Sequence, residues 1–117
     1  MAVSGDVDMQ LQDVGVQIAT RDLQANDRKI TVVIGRPEKF PEGEDYYCPY
    51  QIVGFGNERI RYAGGVDAVQ ALQLALQKIG ADLYTSQEAQ SKQLAWVGGN
   101  LGDLGFPVPE SIRDLAP

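Results

Sequence analysis

Gly64-Gly65-Val66-Asp67-Ala68-Val69-Gln70-Ala71-Leu72-Gln73-Leu74-Ala75-Leu76-Gln77 is the stretch that decides the fold. A strand-like region ends at the two glycines and a helix begins directly after them. Asp67 is placed as the N-cap, where its carboxylate can accept the free N–H groups of the first turn. Gln70 stands three residues on, where a capping box takes Glu or Gln. Val69, Leu72, Leu76, Ile79 and Leu83 recur three and four residues apart, so the spacing predicts a helix from about Ala68 to Leu83 with one apolar stripe. Leu74 falls almost opposite that stripe, near Ala71 and Ala81, while Gln70, Gln73 and Gln77 form a polar arc. A helix apolar on two sides packs on two sides. Its second partner is either the C-terminal segment or another chain.

The residues before the helix alternate with the period of half-buried strands. Val14, Val16 and Ile18 alternate with Gly15 and Gln17. Ala25-Asn26-Asp27 is turn chemistry, and Ile30, Val32 and Ile34 then share one face of a β-branched run ending at Gly35. These two runs form a hairpin. Arg36 to Asp45 holds two prolines, a glycine and four acids, and reads as a loop. In the third strand, Tyr46 to Phe55, Cys48, Tyr50 and Ile52 share one face and Tyr47, Gln51 and Val53 the other. Pro49 removes a backbone donor there, which demands an edge or a bulge. Gly56-Asn57 suits a two-residue turn. Glu58 to Ala63 returns as a fourth strand, with Ile60 and Tyr62 expected on the core face and Arg59 and Arg61 on the opposite face, beside Tyr47. Leu94, Trp96 and Val97 form a short fifth strand. Gly98 to Gly105 is glycine-rich, and Ser111 to Leu115 makes a last helical turn. The fold expected is α+β: a four- to five-stranded antiparallel meander, one long helix across one face, and a glycine-rich C-terminal segment. Residues 1–12 read as a flexible tail and 13–117 as a single domain.

Composition narrows the function. The chain has 117 residues, 10 basic and 16 acidic, and a net charge of −6. Such a field repels phosphate backbones, so nucleic acid is not the expected partner. A single cysteine, Cys48, forbids an internal disulfide and fits a reducing compartment. Neither a secretory signal nor a membrane-length apolar run is visible, so the expected location is the cytoplasm. Histidine is absent. That removes Ser-His-Asp and Cys-His nucleophilic pairs and nearly every zinc site of usual composition. Cys48, beside a proline and facing the core, reads as an inert small hydrophobe. The run Gly98 to Gly105 lacks the Gly-Lys-Ser/Thr ending of a phosphate loop. No cofactor, metal or catalytic residue is expected.

Two surfaces remain as candidates. Glu42, Glu44 and Asp45 form an acidic loop suited to a basic protein. Tyr47, Arg59 and Arg61 are of the residue types that anchor interfaces. Trp96, Asn100 and Asp103, around the glycine-rich loop, could line a small-molecule pocket.

Cys48-Pro49-Tyr50, the run from Gly65 to Leu76, Trp96-Val97-Gly98-Gly99 and Asp103-Leu104-Gly105-Phe106-Pro107 together resemble a family of small uncharacterised bacterial proteins. The resemblance spans roughly Val14 to Pro107. It implies a bacterial origin and one domain, and it carries no established activity. The function expected from the residues is a non-catalytic protein-binding module, of the kind that neutralises a bacterial effector as a cytoplasmic immunity protein does. The alternative is a small-molecule binder or carboxylate-dependent enzyme. A homodimer through Leu74 or the outer sheet face fits both.

Overall fold

The structure is a computed structural model and describes residues 10–25, 28–54, 57–86, 94–96 and 104–108. Helix α1 runs Ala68–Tyr84. The Asp67 carboxylate accepts the Gln70 N–H at 2.8 Å, and the Gln70 side chain accepts the Val66 N–H at 2.8 Å. One first-turn donor and one N–H of the incoming chain are thereby satisfied, by the two residues the sequence singles out. At the far end the Thr85 and Ser86 hydroxyls donate to the carbonyls of Ala81 and Leu83, both at 2.6 Å.

Among the described residues, six strands form one antiparallel sheet: β1 (Gln17–Ala25), β2 (Arg28–Gly35), β3 (Glu38–Lys39), β4 (Tyr46–Val53), β5 (Arg61–Gly65) and β6 (Leu94–Trp96). The strands from β1 to β5 make the expected meander. β6 then joins the far side of β1, so α1 carries the chain across one face from β5 to the opposite margin. β3 shares an edge of β4 with β2, because β5 occupies the other edge at Tyr46, Tyr47 and Tyr50. Ile34 opposes Tyr50 and Glu38 opposes Tyr47, so four steps on one side match three on the other. That extra residue is a bulge opposite Cys48 and Pro49, where a strand can accommodate proline.

The first strand differs from expectation. Val16 and Ile18 are 54% and 46% exposed, and the buried residues of β1 are Leu23 and Ala25. Val14 is buried instead as lead-in chain. Its carbonyl lies so close to Gly35 that a Cβ there would sit 2.0 Å away, and Arg36 donates its N–H to Val16 at 2.7 Å. The alternation at 14–18 therefore comes from chain draped past Gly35 and Pro49.

The helix stripe is also rotated. Leu72, Leu76, Ile79 and Leu83 face the core, but Val69 is 64% exposed and its expected place is taken by Ala71 and Ala75, both fully buried. Small side chains let the helix backbone approach the sheet closely. A Cβ on Gly65 would meet the Ala71 nitrogen at 2.5 Å, so glycine is required there by space alone.

The C-terminal segment packs on the helix beside its core stripe, whereas Leu74, on the side expected to take a second partner, is 36% exposed. Gly80 faces the Pro107 carbonyl, which a Cβ would meet at 2.0 Å. Leu104 and Phe106 are buried in the same core, and Leu104 donates its N–H to the Tyr84 hydroxyl at 3.2 Å. Arg21 completes this closure. Its guanidinium lies 4.7 Å from the Trp96 ring centroid and 5.1 Å from that of Phe106, and it donates to the Gly105 carbonyl. The tail read at 1–12, the loop over 98–103, Val97 and the turn at 111–115 lie wholly or mostly outside the described residues.

Gly80→Ala should destabilise the protein by about 1–3 kcal/mol, because the methyl must displace backbone that has no rotamer to yield. Urea unfolding followed by the emission of Trp96, the single tryptophan, will show a lowered midpoint and a native spectrum shifted to the red. An unchanged midpoint and spectrum would refute the contact.

Candidate functional site

Residues directly opposite each other in an antiparallel pair share a face. Tyr50 opposes Arg61, Pro49 opposes Tyr62 and Cys48 opposes Ala63. Tyr50 is a core residue, so Arg61 points inward beneath α1 and Tyr62 points outward. This reverses the faces expected for Arg61 and Tyr62. The turn differs as well. Pairing between β4 and β5 ends at Tyr50 and Arg61, and a longer connection replaces a tight Gly56-Asn57 turn; residues 55 and 56 lie outside the described residues.

Beneath the helix, Asp82 gathers two partners. It accepts the Tyr50 hydroxyl at 2.7 Å and the Arg61 guanidinium at 3.2 Å. Burial, reinforced by the Asp82 carboxylate, holds the Tyr50 phenol far above its ordinary value, so Tyr50 serves as a permanent donor. Lys78, one turn earlier, donates to the Tyr62 carbonyl at 2.8 Å. Its amine is lowered mainly by burial, with Arg61 and Arg59 adding to the effect and Asp82 opposing it. Cys48 is fully buried, its thiol set against the Gly35 carbonyl at 3.5 Å, and burial pushes it up to about 11. Such a thiol is a poor nucleophile at neutral pH.

On the outer face, Tyr47 and Tyr62 are joined by a ring the sequence reading did not single out, Phe40. The ring centroids are 5.2 Å apart for Phe40–Tyr47, 5.9 Å for Phe40–Tyr62 and 6.0 Å for Tyr47–Tyr62, in tilted and edge-on arrangements. Such geometry is favourable for aromatic quadrupoles. Burial, and after it the charge of Glu38, raises the Tyr47 phenol above its ordinary value. The loop bearing Glu42, Glu44 and Asp45 is exposed and folds back beside these rings through the Phe40 N–H, which donates to the Asp45 carbonyl at 2.9 Å. Lys39 engages Glu44 at 3.2 Å. Among the described residues no ion pair engages Glu42 or Asp45.

The structure thus unites the acidic loop with Tyr47 and separates both from the two arginines. Arg59 is exposed and lines a groove beside Arg61 and Lys78. Trp96 is engaged by Arg21, as described above, and Asn100 and Asp103 lie outside the described residues. Asp82 and Phe40 were missed because each is unremarkable in its own stretch. The available signal for Asp82 was its spacing from Ile79 and Leu83, which sets a carboxylate beside the core stripe.

Residues 19–108 match a family described as Domain of unknown function (DUF6968). The chain belongs to this family. The DUF6968 match takes in the whole sheet from Ala19 onward, α1 and the closing segment. Neither a curated protein nor a solved structure matches the chain. No described helix is long and apolar enough to cross a membrane.

The Cys48 thiol gives a signed pH dependence. Its folded value lies above the reference of 9.0, so the unfolded chain loses this proton first as pH rises. The contribution is complete below pH 9 and is lost as pH climbs toward about 11. Tyr50 acts in the same direction and Lys78 in the opposite one, so the comparison needs a variant. Between pH 9 and 11 the wild type should lose on the order of 1–3 kcal/mol more stability than Cys48→Ala does. Parallel pH profiles for the two proteins would contradict this.

Proposed function

We propose that this chain is a non-catalytic protein-binding module, and that it binds through the outer sheet face at Phe40, Tyr47 and Tyr62. The observation that carries the reading is the cluster of three mutually packed rings on a face that no described element crosses at that point. Tyrosine supplies large, stiff contact area together with a hydrogen-bonding tip, which is why it recurs at interface centres. The acidic loop at 42–45 lies beside the rings and supplies the polar rim.

The charge of the loop selects the partner's chemistry. Glu42 and Asp45 keep their carboxylates available, and the whole chain carries −6. A basic protein is the complementary partner, and the long-range field would speed its arrival. A small acidic binder with this arrangement suits an immunity-type role in the bacterial cytoplasm, neutralising a basic effector by covering it.

The test is a calorimetric titration of the full chain with a basic effector protein encoded beside its gene. Tyr47→Ala and Tyr62→Ala should each weaken binding at least tenfold, about 1.4 kcal/mol, while unfolding midpoints stay close to wild type. Glu42→Lys should slow association more than it speeds dissociation. Unchanged affinity in both tyrosine variants would overturn the assignment of this face.

A further inference from the structure

The groove between β5 and α1 is a separate feature, on the edge of the sheet rather than on its outer face. It has a volume of about 750 Å³ and is lined by residues 59–64 on one wall and by Leu74, Lys78 and their helical neighbours on the other. Consecutive residues of one strand line the same wall. Side chains alternate between faces, so the unbroken run Arg61 to Gly64 within β5 means that the edge of the strand itself faces the groove. β5 pairs with β4 and with no other described strand. The Tyr62 carbonyl points away from β4, since Lys78 reaches it from the helix. Main-chain groups alternate along a strand, so Gly64 turns its own to the same side.

Charge distinguishes the occupant. Arg59, Arg61 and Lys78 bring three cations to the groove. Asp82 opposes them, and it is already engaged by Arg61 and Tyr50. A positive groove in a chain of net charge −6 calls for an anionic partner. A second copy of this chain is disfavoured there, because two-fold pairing of β5 with itself would bring both sets of cations together.

We propose that the β5 edge receives an extended acidic segment of another protein as an added strand, its carboxylates on the α1 side, seated between Arg59 and Lys78 beside Leu74. Main-chain pairing supplies affinity in this mode and the alternate side-chain sites supply selectivity. Lys78 caps the edge at rest, in the manner by which lysines protect exposed strands. An incoming carboxylate draws the amine off Tyr62 and opens the edge for pairing.

The probe is a fluorescent, end-blocked peptide of about eight residues with alternating valine and glutamate, long enough to cover the edge. The full-length chain should bind it, should not bind the counterpart with lysine for glutamate, and should lose binding when alternate peptide nitrogens are methylated. Arg59→Glu should weaken binding at least tenfold with an unchanged unfolding midpoint, and Leu74→Glu should weaken it independently. Absence of binding at the solubility limit would overturn the proposal, as would binding that survives N-methylation or Arg59→Glu. Displacement of the peptide by inorganic phosphate at equal concentration would also overturn it, since that outcome marks an anion site with no strand addition.

Discussion

The register of β4 against β5 is the constraint on which the rest of this structure depends. Setting Tyr50 opposite Arg61 gives every residue of β5 its face. Arg61 goes under the helix, where Asp82 gathers it with the Tyr50 hydroxyl. Tyr62 goes outside, where it meets Phe40 and Tyr47. A slip of one residue would exchange these sets, placing a phenol under α1 and an unpaired guanidinium among the rings. The polar cluster makes that slip costly, because a half-buried cation and carboxylate separated from each other each lose their compensation.

The helix is held at its distance by residues with almost no side chain. Ala71 and Ala75 are fully buried, and Gly65 and Gly80 meet backbone where a methyl would fit only by displacing it. Close approach concentrates dispersion contacts and leaves little room for rearrangement. On the opposite flank, Arg21 between Trp96 and Phe106 fastens the closing segment to the sheet with a cation instead of another aliphatic group. The result is a scaffold with one face packed on α1 and Leu104 to Val108, and with surfaces that differ in charge. The aromatic cluster lies beside acidic residues, while the β5 edge is lined by basic ones.

Much of the architecture was legible in the sequence. The cap at Asp67, the meander and the short strand at Leu94 follow from local chemistry, and each is found; at Pro49, where an edge or a bulge is expected, the extra residue lies on the facing chain between Ile34 and Glu38. The errors came where a local pattern met a long-range constraint. Val69 has the right spacing for the stripe, but the buried face is centred on Ala71, Ala75 and Ile79 and turns Val69 to the surface. Val14, Val16 and Ile18 alternate correctly, yet the pairing with β2 begins only at Gln17. The faces of Arg61 and Tyr62 were misjudged by reading hydrophobicity ahead of cross-strand parity. Residues 51 and 62 fall on one side for a two-residue turn at 56–57 and for the observed register alike. By hydrophobicity alone Tyr62, two residues from Ile60, reads as core. The union of Phe40 with Tyr47 and Tyr62 depends on the β3–β4 return, which no local period encodes.

The orientation of Tyr62 follows from this register of β4 against β5, and nuclear Overhauser spectroscopy on the full chain reads it out. The Tyr62 ring protons should give cross-peaks to those of Phe40 and Tyr47, with none to the methyl groups of Leu72 or Leu76. Cross-peaks from Tyr62 to those helix methyls, with the Phe40 and Tyr47 contacts missing, would contradict that register.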